Sequence, residues 1–301
     1  MKTAKKGKRA KQKAIAVLPL FPDLQEQLAP GDISASTTGP VWTEQKAQLI
    51  ARYLRLFVFI THHGAYIDGF AAPKEPDHPD TWAANLVLSS EPKWLRQFYL
   101  CELEKPRFRY LTDLAAAQPD VKNRTIELFQ GDFNIQVHEI LKSAAISGKT
   151  ATFCLLDQFS TECDWETVRT LARHKGPGFN KIELFYFLAA GWVFRSLEAF
   201  KDDARPTAWW GRADWRSLQG IGQDRLAIAW CERFQNELGY RFVKAWPIYE
   251  HEGGGGRILF YMIHASDHPE APVLMGRAYR NIVQPLESEE QLTMEFGGQA
   301  G

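Results

Sequence analysis

The sequence predicts an α/β fold: a doubly wound, mostly parallel, seven-stranded sheet with an antiparallel C-terminal hairpin. Three observations predict it. Five short apolar runs alternate with helical stretches between residues 43 and 200. These runs are continuously apolar, which is typical of strands buried on both faces of a parallel sheet. Two further strand-like runs then follow each other across a glycine-rich loop, which indicates a hairpin.

The first predicted element of the fold is the helix TEQKAQLIARYLRLFVFITH, in which Leu49, Ile50 and Tyr53 recur at helical spacing. Five strands follow it: AYID, QFYLCE from Gln97, ELFQGD to Asp132, TFCLLD from Thr152, and KIELFYFL from Lys181. Helices are predicted between the strands, at residues 108–117, 135–145, 165–174 and 192–200. Repeated strand–helix units imply right-handed crossovers, with helices on both faces of the sheet.

The last third of the chain has a different pattern. A helix is predicted from Asp224 to Leu238, and the strands YRFVKAWPIY and RILFYMIHAS are joined by HEGGGG. Consecutive glycines make a loose hairpin tip rather than a phosphate-binding loop, because no helix follows them. We divide the chain into a basic N-terminal arm and connector, an α/β domain and a C-terminal tail, at residues 1–40, 41–285 and 286–301.

The composition is that of a cytoplasmic globular protein. The chain has 301 residues, of which 45% are hydrophobic, and 36 basic residues balance 36 acidic ones. A body with zero net charge is not a uniformly basic nucleic-acid binder. The four cysteines form no CxxC pair, which fits a reducing compartment better than a disulfide scaffold. We see neither a membrane-length apolar run nor a cleavable secretory signal, so we expect a cytoplasmic protein without membrane contact.

The N-terminal arm is the exception to this charge balance. Its first 13 residues, MKTAKKGKRAKQK, contain seven lysines and arginines and no acidic residue. The pattern is compatible with a solvated, mobile tail and with a polybasic arm that attracts phosphate. In the second interpretation, the arm contacts nucleic acid through Lys5, Lys6, Lys8 and Arg9.

Acidic residues close four of the predicted strands in chain order: Asp68, Glu102, Asp132 and Asp157. In an open parallel sheet, ligands bind at the carboxyl ends of the strands, near the point where the strand order reverses. A carboxylate that ends the second strand can accept both hydroxyls of a ribose, and one after the third can reach the exocyclic amine of an adenine. Asp68, beside a loop of small residues, can hold an ammonium group or a water. The set suits an adenosine with a cationic tail, such as S-adenosylmethionine.

Other chemistries have weaker signals. The sequence has no GxGxxG after the first strand, no GxxxxGK[ST] and no GxSxG. His62 and His63 are adjacent and cannot share one face of a regular element, so we expect no metal site there. A hydrolase that pairs Asp157 with Asp164 is a further alternative, supported only by the position of these acids.

Several stretches together resemble one protein family. They are WTEQK, YIDGFA, the glutamate that ends the second strand, GDFN, LLDQFS, WWGRADW and ILFYMIHASDHP. Their order and spacing from Trp42 to Ile282 resemble the three-Cys-motif partner family, TcmP. The resemblance implies a class I methyltransferase fold, which is Rossmann-like, S-adenosylmethionine as cofactor and a three-Cys-motif protein as partner. It also implies the site residues: Asp68, Gly69, Phe70 and Ala71 at the cofactor loop, Glu102 on the ribose, Asp132 and Phe133 against the adenine, and Asp157 at the catalytic edge.

Two departures from the family's pattern bear on activity. Where the family has an FAGPG-like loop, Ala72 takes the first glycine position and Lys74 the second, which places a positive charge beside a sulfonium. DQFS, at residues 157–160, stands where the family has a DPFG-like motif that resembles the DPPY of amino-methyltransferases. Losing the proline is expected to loosen this turn. Asp157 and Phe159 remain to accept a proton and to stack a base, although Phe159 is equally compatible with a core position.

Two hypotheses from different classes follow. The first is a methyltransferase that transfers a methyl group from S-adenosylmethionine in line to an amino group of DNA or RNA, with Asp157 and Phe159 as catalytic residues. Trp209 and Trp210 would stack an exposed base, unless they pack a cap beneath the sheet edge. The second is a catalytically inactive partner or scaffold subunit of a three-Cys-motif protein, which binds nucleic acid or protein. The departures favour the second hypothesis, and the retained strand-end acids favour the first.

Overall fold

The computed structural model describes residues 41–73, 76–251 and 255–283. Several predictions fall on residues outside these ranges: the basic arm with Lys5, Lys6, Lys8 and Arg9, the connector, Lys74 of the first loop, and the C-terminal tail. The described ranges contain seven strands and nine α-helices.

Seven strands form one sheet in the order β3–β2–β1–β4–β5–β7–β6. The strands are β1 (Ala65–Asp68), β2 (Gln97–Glu102), β3 (Thr125–Gln130), β4 (Thr152–Leu156), β5 (Glu183–Leu188), β6 (Phe242–His251) and β7 (Gly255–Ser266). The first five strands are parallel, and β7 pairs antiparallel with both β5 and β6. The predicted fold class, including the antiparallel C-terminal hairpin, is therefore confirmed.

Nine α-helices accompany the strands in the described part of the chain. They are α1 (Val41–Thr61), α2 (Ala83–Ser89), α3 (Lys105–Ala116), α4 (Phe133–Ile140), α5 (Trp165–Arg173), α6 (Ala190–Ala199), α7 (Ala204–Trp210), α8 (Gln223–Asn236) and α9 (Ala271–Val283). Two short 3₁₀ helices lie at Pro79–Thr81 and Ala213–Leu218. The short elements α2 and α7 were not predicted from the sequence.

The helix predicted at residues 135–145 is displaced in the structure, where α4 starts at Phe133 and ends at Ile140. Asp132 caps its first turn, which fixes the earlier start. Beyond Ile140 the Ser143 hydroxyl accepts the backbone N–H of Ala145, two residues further on, at 3.4 Å. Such local bonds compete with a continuing helix.

Both faces of the sheet are covered by helices. On β5, the Phe185 ring lies 4.9 Å from the Tyr53 ring of α1. The next residue, Tyr186, points to the other face and stacks on Trp230 of α8 at 4.6 Å. Because successive side chains of a strand point to opposite faces, these two contacts show the doubly wound arrangement. The edge strand β6 carries Pro247, a residue that lacks the N–H of a ladder bond and is tolerated at an edge.

The described residues contain neither a membrane-spanning helix nor a metal-binding cluster. None of the helices there is both long and apolar enough to cross a membrane. No group of three or more histidine, cysteine, aspartate or glutamate side chains in that part of the chain is arranged to hold a metal ion.

Candidate active site

The carboxyl ends of the five parallel strands meet at one edge of the sheet, and the predicted acidic residues lie there. Asp68 ends β1, Glu102 ends β2 and Asp157 directly follows β4. The strand order reverses between β1 and β4, because the chain runs from β1 to β2 and β3 and then returns to the other side of β1. Open α/β sheets bind ligands in the crevice at such a switch point. Asp68 and Asp157 therefore flank the place where a ligand is expected.

Asp68 is 2% exposed, and its carboxylate is held by two neighbours. The Tyr66 hydroxyl donates to Oδ2 at 2.8 Å, and the backbone N–H of Phe70 donates to Oδ1 at 3.1 Å. Burial raises the pKa of Asp68 to about 7, while these two hydrogen bonds act in the opposite direction. Asp68 thus orients the loop after β1 and changes its charge near neutral pH.

The loop after β1 is fixed by its own backbone amides. The N–H of Gly69 donates to a carbonyl oxygen of β4 at 3.0 Å, and that of Ala71 donates to a carbonyl oxygen of β2 at 2.8 Å. The N–H of Phe70 is used by the Asp68 carboxylate. A loop cradles phosphate with unpaired amides, and these three consecutive amides are occupied. The loop therefore suits a ligand without a pyrophosphate.

Two long side chains hold the outer part of this loop. Trp82 Nε1 donates to the Ala71 carbonyl at 2.6 Å, and the Arg107 guanidinium donates to the carbonyls of the next two residues at 3.2 and 3.3 Å. Arg107 also lies 4.0 Å from a carboxylate oxygen of Glu102. Arg107 therefore connects the loop to the acid that ends β2.

Gly69 is required by a close approach of Phe133. A Cβ on Gly69 would lie 2.7 Å from the buried Phe133 ring, too close for any side chain unless the ring moves. The Phe70 ring lies 6.0 Å from the same ring. The Phe133 ring thus packs against the loop. Its contact with an adenine stays a prediction. Ala72 does not have a positive φ, so alanine is compatible with the backbone at this departure from the family pattern.

The two acids predicted for the adenosine differ in their surroundings. Glu102 is buried, and its Oε1 accepts the N–H of Glu104 at 2.8 Å, which leaves acceptor positions on the carboxylate. Asp132 is exposed and lies two residues beyond the end of β3, not within the strand as predicted. Its Oδ1 accepts the backbone and side-chain N–H of Asn134, both at 2.9 Å. Asp132 is thus the N-cap of α4, with one carboxylate oxygen committed to that role.

Two apolar side chains near these acids were missed by the sequence analysis. Leu103, directly after Glu102, is 60% exposed, and Ile135, in the first turn of α4, is 66% exposed. Exposed apolar side chains beside strand-end acids are suited to cover the faces of a flat ring. The signal available in the sequence was that Leu103 follows the predicted strand-end acid Glu102 by one residue and that Ile135 follows Asp132 by three.

Asp157 forms an ion pair with Lys46 of α1, which the sequence analysis did not predict. Lys46 Nζ lies 2.8 Å from Oδ1 and 2.6 Å from Oδ2 of Asp157, and 4.3 Å from the centre of the Phe187 ring. Lys46 is 2% exposed and the Asp157 side chain 14%. The signal was present in the sequence: Lys46 precedes Leu49 and Ile50 by three and four residues and thus shares their buried face.

The turn after Asp157 is held by side chains, so the expected loosening is not found. Gln158 points inward, where its Nε2 donates to the Phe187 carbonyl at 2.7 Å. The Glu162 carboxylate accepts the backbone N–H groups of Phe159 at 2.6 Å and of the next residue at 3.0 Å. These bonds fix the turn without the family's proline.

Phe159 is 45% exposed, so the alternative of a core position is wrong. Its ring centroid lies 5.3 Å from that of Trp192, which is 46% exposed and was not predicted as a site residue. The Arg195 guanidinium lies over the Trp192 ring at 4.5 Å. We call Phe159, Trp192 and Arg195 the aromatic shelf.

The predicted base-stacking role of Trp209 and Trp210 is wrong, because both side chains are buried. Trp209 is 0% and Trp210 4% exposed. Trp209 Nε1 donates to the Tyr186 hydroxyl at 2.9 Å, and Trp210 packs against the guanidinium of Arg233 at 4.3 Å. They pack a cap against the sheet, which was the alternative interpretation.

No protein-family model matches this chain, and neither does any curated protein. Among solved structures, the chain is similar to the methyltransferase domain of bacterial CtHen1-CN, at 12% identity over 74% of this chain and 99% of that one, with a TM-score of 0.43. It is also similar to M. jannaschii TYW2 in complex with AdoMet, at 12% identity over 78% of each chain, with a TM-score of 0.39. Such likeness concerns the fold and assigns no residue, substrate or partner to this chain.

Proposed function

We propose that this protein is an S-adenosylmethionine-dependent methyltransferase that acts on an amino group of nucleic acid. One observation carries the proposal: three acids end or directly follow three adjacent strands, around a loop whose first three amides, at residues 69–71, are already hydrogen-bonded. Asp68, Glu102 and Asp157 are these acids. They surround the switch point of the sheet, where a small ligand is expected.

The residues at this edge fit the parts of S-adenosylmethionine. The Glu102 carboxylate would accept the two ribose hydroxyls, and the remaining oxygen of Asp132 would accept the adenine amine. Leu103 and Ile135 would cover the faces of the adenine. Asp68 would attract the ammonium group of the amino-acid part. When bound, this cofactor supplies an electrophilic methyl group on a sulfonium.

Asp157 is the residue that orients the target. As a carboxylate held on one side by Lys46, it would accept a hydrogen bond from the target amine and direct the nitrogen lone pair toward the methyl group. Transfer in line then depends mostly on positioning, which is the largest contribution that such a site can make without a strong base. The methylated nitrogen would carry a positive charge after transfer, and its proton would pass to the Asp157 carboxylate or to water.

The nucleic-acid class of the substrate is supported by the basic sequence of the N-terminal arm. The resemblance to the three-Cys-motif partner family adds a three-Cys-motif protein as a partner in this proposal. Cytoplasmic localisation belongs to the same proposal.

A second candidate is a catalytically inactive partner or scaffold subunit. The observation that favours it is that groups at this edge of the sheet already have partners within the protein. Lys46 balances the charge of Asp157, the Phe133 ring packs against Gly69, and Arg107 donates to a carbonyl of the loop. A scaffold of this kind would bind its partner without needing a cofactor.

Transfer of a radiolabelled methyl group to total RNA and to denatured DNA tests the first candidate. We expect incorporation by the wild type and a loss of about 100-fold or more in Asp157→Ala, the range for removal of a residue that handles a proton. Asp113→Ala, which removes an exposed acid of α3, is the matched control and should retain activity. Absence of transfer to both acceptors, with and without the three-Cys-motif partner added, would favour the scaffold.

A further inference from the structure

The aromatic shelf is an exposed surface that the proposed cofactor site does not use. The two rings of the shelf contact each other while each remains nearly half exposed, so they form a contiguous apolar surface, which is the kind of surface that marks interaction sites. Their centroids lie 5.3 Å apart and their planes meet at 44°, so the two rings contact each other and leave no room for a base between them. A flat group would stack on the outer, exposed face of one of the rings.

Arg195 gives the shelf a positive charge. Its guanidinium lies over the Trp192 ring, at 4.5 Å from the ring centre. A cation held against an indole strengthens stacking with a further π system and also attracts phosphate. The combination of flat faces and a guanidinium suits a nucleotide better than an aliphatic side chain.

The shelf lies beside the catalytic edge. Phe159 follows Asp157 by two residues, and Trp192 lies at the start of α6, four residues after the end of β5. Because β4 and β5 are adjacent parallel strands, the segments that follow them emerge side by side. The Glu162 carboxylate holds the backbone of the Phe159 turn, so the ring is carried on a fixed backbone segment two residues after Asp157.

We propose that the aromatic shelf binds one unpaired base of a single-stranded nucleic acid and presents its exocyclic amine to Asp157. This inference rests on the proposed function and names its substrate as an unpaired strand. A base within a duplex is stacked on both faces and would have to be extruded first, which costs a few kcal/mol. The shelf therefore favours single strands over duplexes.

The test is binding of a labelled single-stranded oligonucleotide to the full chain, followed by fluorescence anisotropy without S-adenosylmethionine. Titrations at raised salt reduce the contribution of phosphate contacts, including those of the basic arm. We expect Trp192→Ala and Phe159→Ala to weaken binding by roughly 5- to 150-fold, the range for loss of one base–aromatic stack. Trp192→Phe keeps an aromatic face and should recover most of the affinity.

Two matched controls separate the shelf from a general effect of the substitutions. Phe179→Ala removes a phenyl ring that is 46% exposed and lies before β5, at the opposite edge of the sheet. Arg195→Ala should also weaken binding, and Arg109→Ala, which removes an exposed arginine of α3, is its matched control. Both controls should bind the strand as the wild type does. Urea midpoints equal to that of the wild type would show that the shelf variants are folded.

A strand of abasic spacers identifies what the shelf contacts. It carries the same phosphates without bases, so the wild type should bind it more weakly, and Trp192→Ala should cause no further loss. Equal affinity of the wild type and Trp192→Ala for the normal strand would overturn the proposal, as would tighter binding of a duplex of the same sequence. Because no cofactor is present, this result is independent of whether the protein transfers methyl groups.

Discussion

The Lys46–Asp157 pair determines the chemistry available at the end of β4. Breaking a largely buried ion pair by removing one partner leaves a charge without its counterion, which is more costly than replacing both partners with apolar residues. Lys46 Nζ also lies over the Phe187 ring, so the same ammonium group makes both an ion pair and a cation–π contact. The pair connects α1 to the catalytic edge, and it leaves Asp157 as an oriented hydrogen-bond acceptor.

We expect Lys46→Met to lower the free energy of unfolding by about 3 kcal/mol, the lower part of the range for a broken buried pair, because Asp157 retains some access to water. The measurement is urea unfolding. The double variant Lys46→Met with Asp157→Leu should recover part of that loss while remaining inactive. If the double variant is as unstable as the sum of the single variants, the pair is not the cause.

Asp68 makes a second prediction at this scale, on pH. Its folded-state pKa of about 7 lies above the unfolded value, so between these two values the folded protein retains a proton that the unfolded chain has lost. The contribution of Asp68 to stability therefore falls as pH rises from about 4 to about 7. Asn is uncharged at every pH. The stability of Asp68→Asn relative to that of the wild type should therefore be higher at pH 8 than at pH 5.

Urea unfolding of Asp68→Asn and the wild type at both pH values measures this difference. Asp113→Asn, at an exposed position on α3, is the control and should show no change with pH relative to the wild type. A difference between Asp68→Asn and the wild type that is the same at pH 5 and pH 8 would contradict the assignment.

The loop after β1 gives a third prediction. Gly69→Ala places a Cβ 2.7 Å from the Phe133 ring, so we expect a destabilisation of about 1–3 kcal/mol, as for overpacking, together with weaker ligand binding. Gly176→Ala is the matched control, because nothing lies within 4 Å of its Cβ position. Phe133→Leu combined with Gly69→Ala should restore stability. Equal thermal midpoints for Gly69→Ala and Gly176→Ala would show that the contact is not tight.

At the scale of elements, Glu183 joins a helix and two strands. Its buried carboxylate accepts hydrogen bonds from the Tyr53 hydroxyl of α1, from His264 Nε2 at 2.9 Å and from the Ser266 hydroxyl at 2.7 Å, the last two on β7. Burial alone would raise the pKa of Glu183, but these hydrogen bonds, led by that of His264, hold the pKa below its usual value. The charge is thus stabilised where β5 meets its antiparallel neighbour.

This lowered pKa has a pH dependence opposite to that of Asp68. The stability that ionised Glu183 contributes is present above its unfolded pKa and is lost as pH falls through the folded pKa. We expect Glu183→Gln to lower the free energy of unfolding at pH 7 by roughly 2–3 kcal/mol, as for loss of a hydrogen bond to a charged group. As pH falls, the free energy of unfolding of Glu183→Gln should decrease less than that of the wild type. Urea unfolding between pH 3 and pH 7 checks this, and parallel curves for Glu183→Gln and the wild type would contradict it.

The sequence predicted the strands better than the residues around the site. β1 and β2 have the predicted bounds because their apolar runs are continuous and end in an acid. The acid after β3 was placed in the strand, although Asp132 caps the next helix, because strand ends and helix caps favour the same residue types. The partner of Asp157 and the exposure of Trp192 depend on contacts between distant segments, which periodicity does not report.

The tryptophans illustrate the same limit. Trp209 and Trp192 lie within 20 residues of each other in helical segments, yet the first is buried and the second exposed. The difference comes from α8, whose Trp230 ring lies 5.0 Å from that of Trp209. The neighbours of a side chain across the fold, rather than its type, decide whether it can stack a base.

At the scale of the whole molecule, the sheet brings the acids and the shelf to one edge. The parallel strands carry Asp68, Glu102 and Asp157 to their carboxyl ends, and the reversal between β1 and β4 opens the crevice between them. The shelf lies on the β4–β5 side and the proposed adenosine site on the β2–β3 side. A methyl donor and an unpaired base would therefore approach Asp157 from opposite sides.

The most direct test of this account is a calorimetric titration of S-adenosylmethionine and S-adenosylhomocysteine into the purified protein, beside Glu102→Ala and the control Asp113→Ala. We predict micromolar binding by the wild type and by the control, and binding at least about tenfold weaker by Glu102→Ala, as expected for loss of a charged hydrogen bond. Absence of binding by a wild-type protein that melts cooperatively would contradict the account and leave the scaffold as the remaining function.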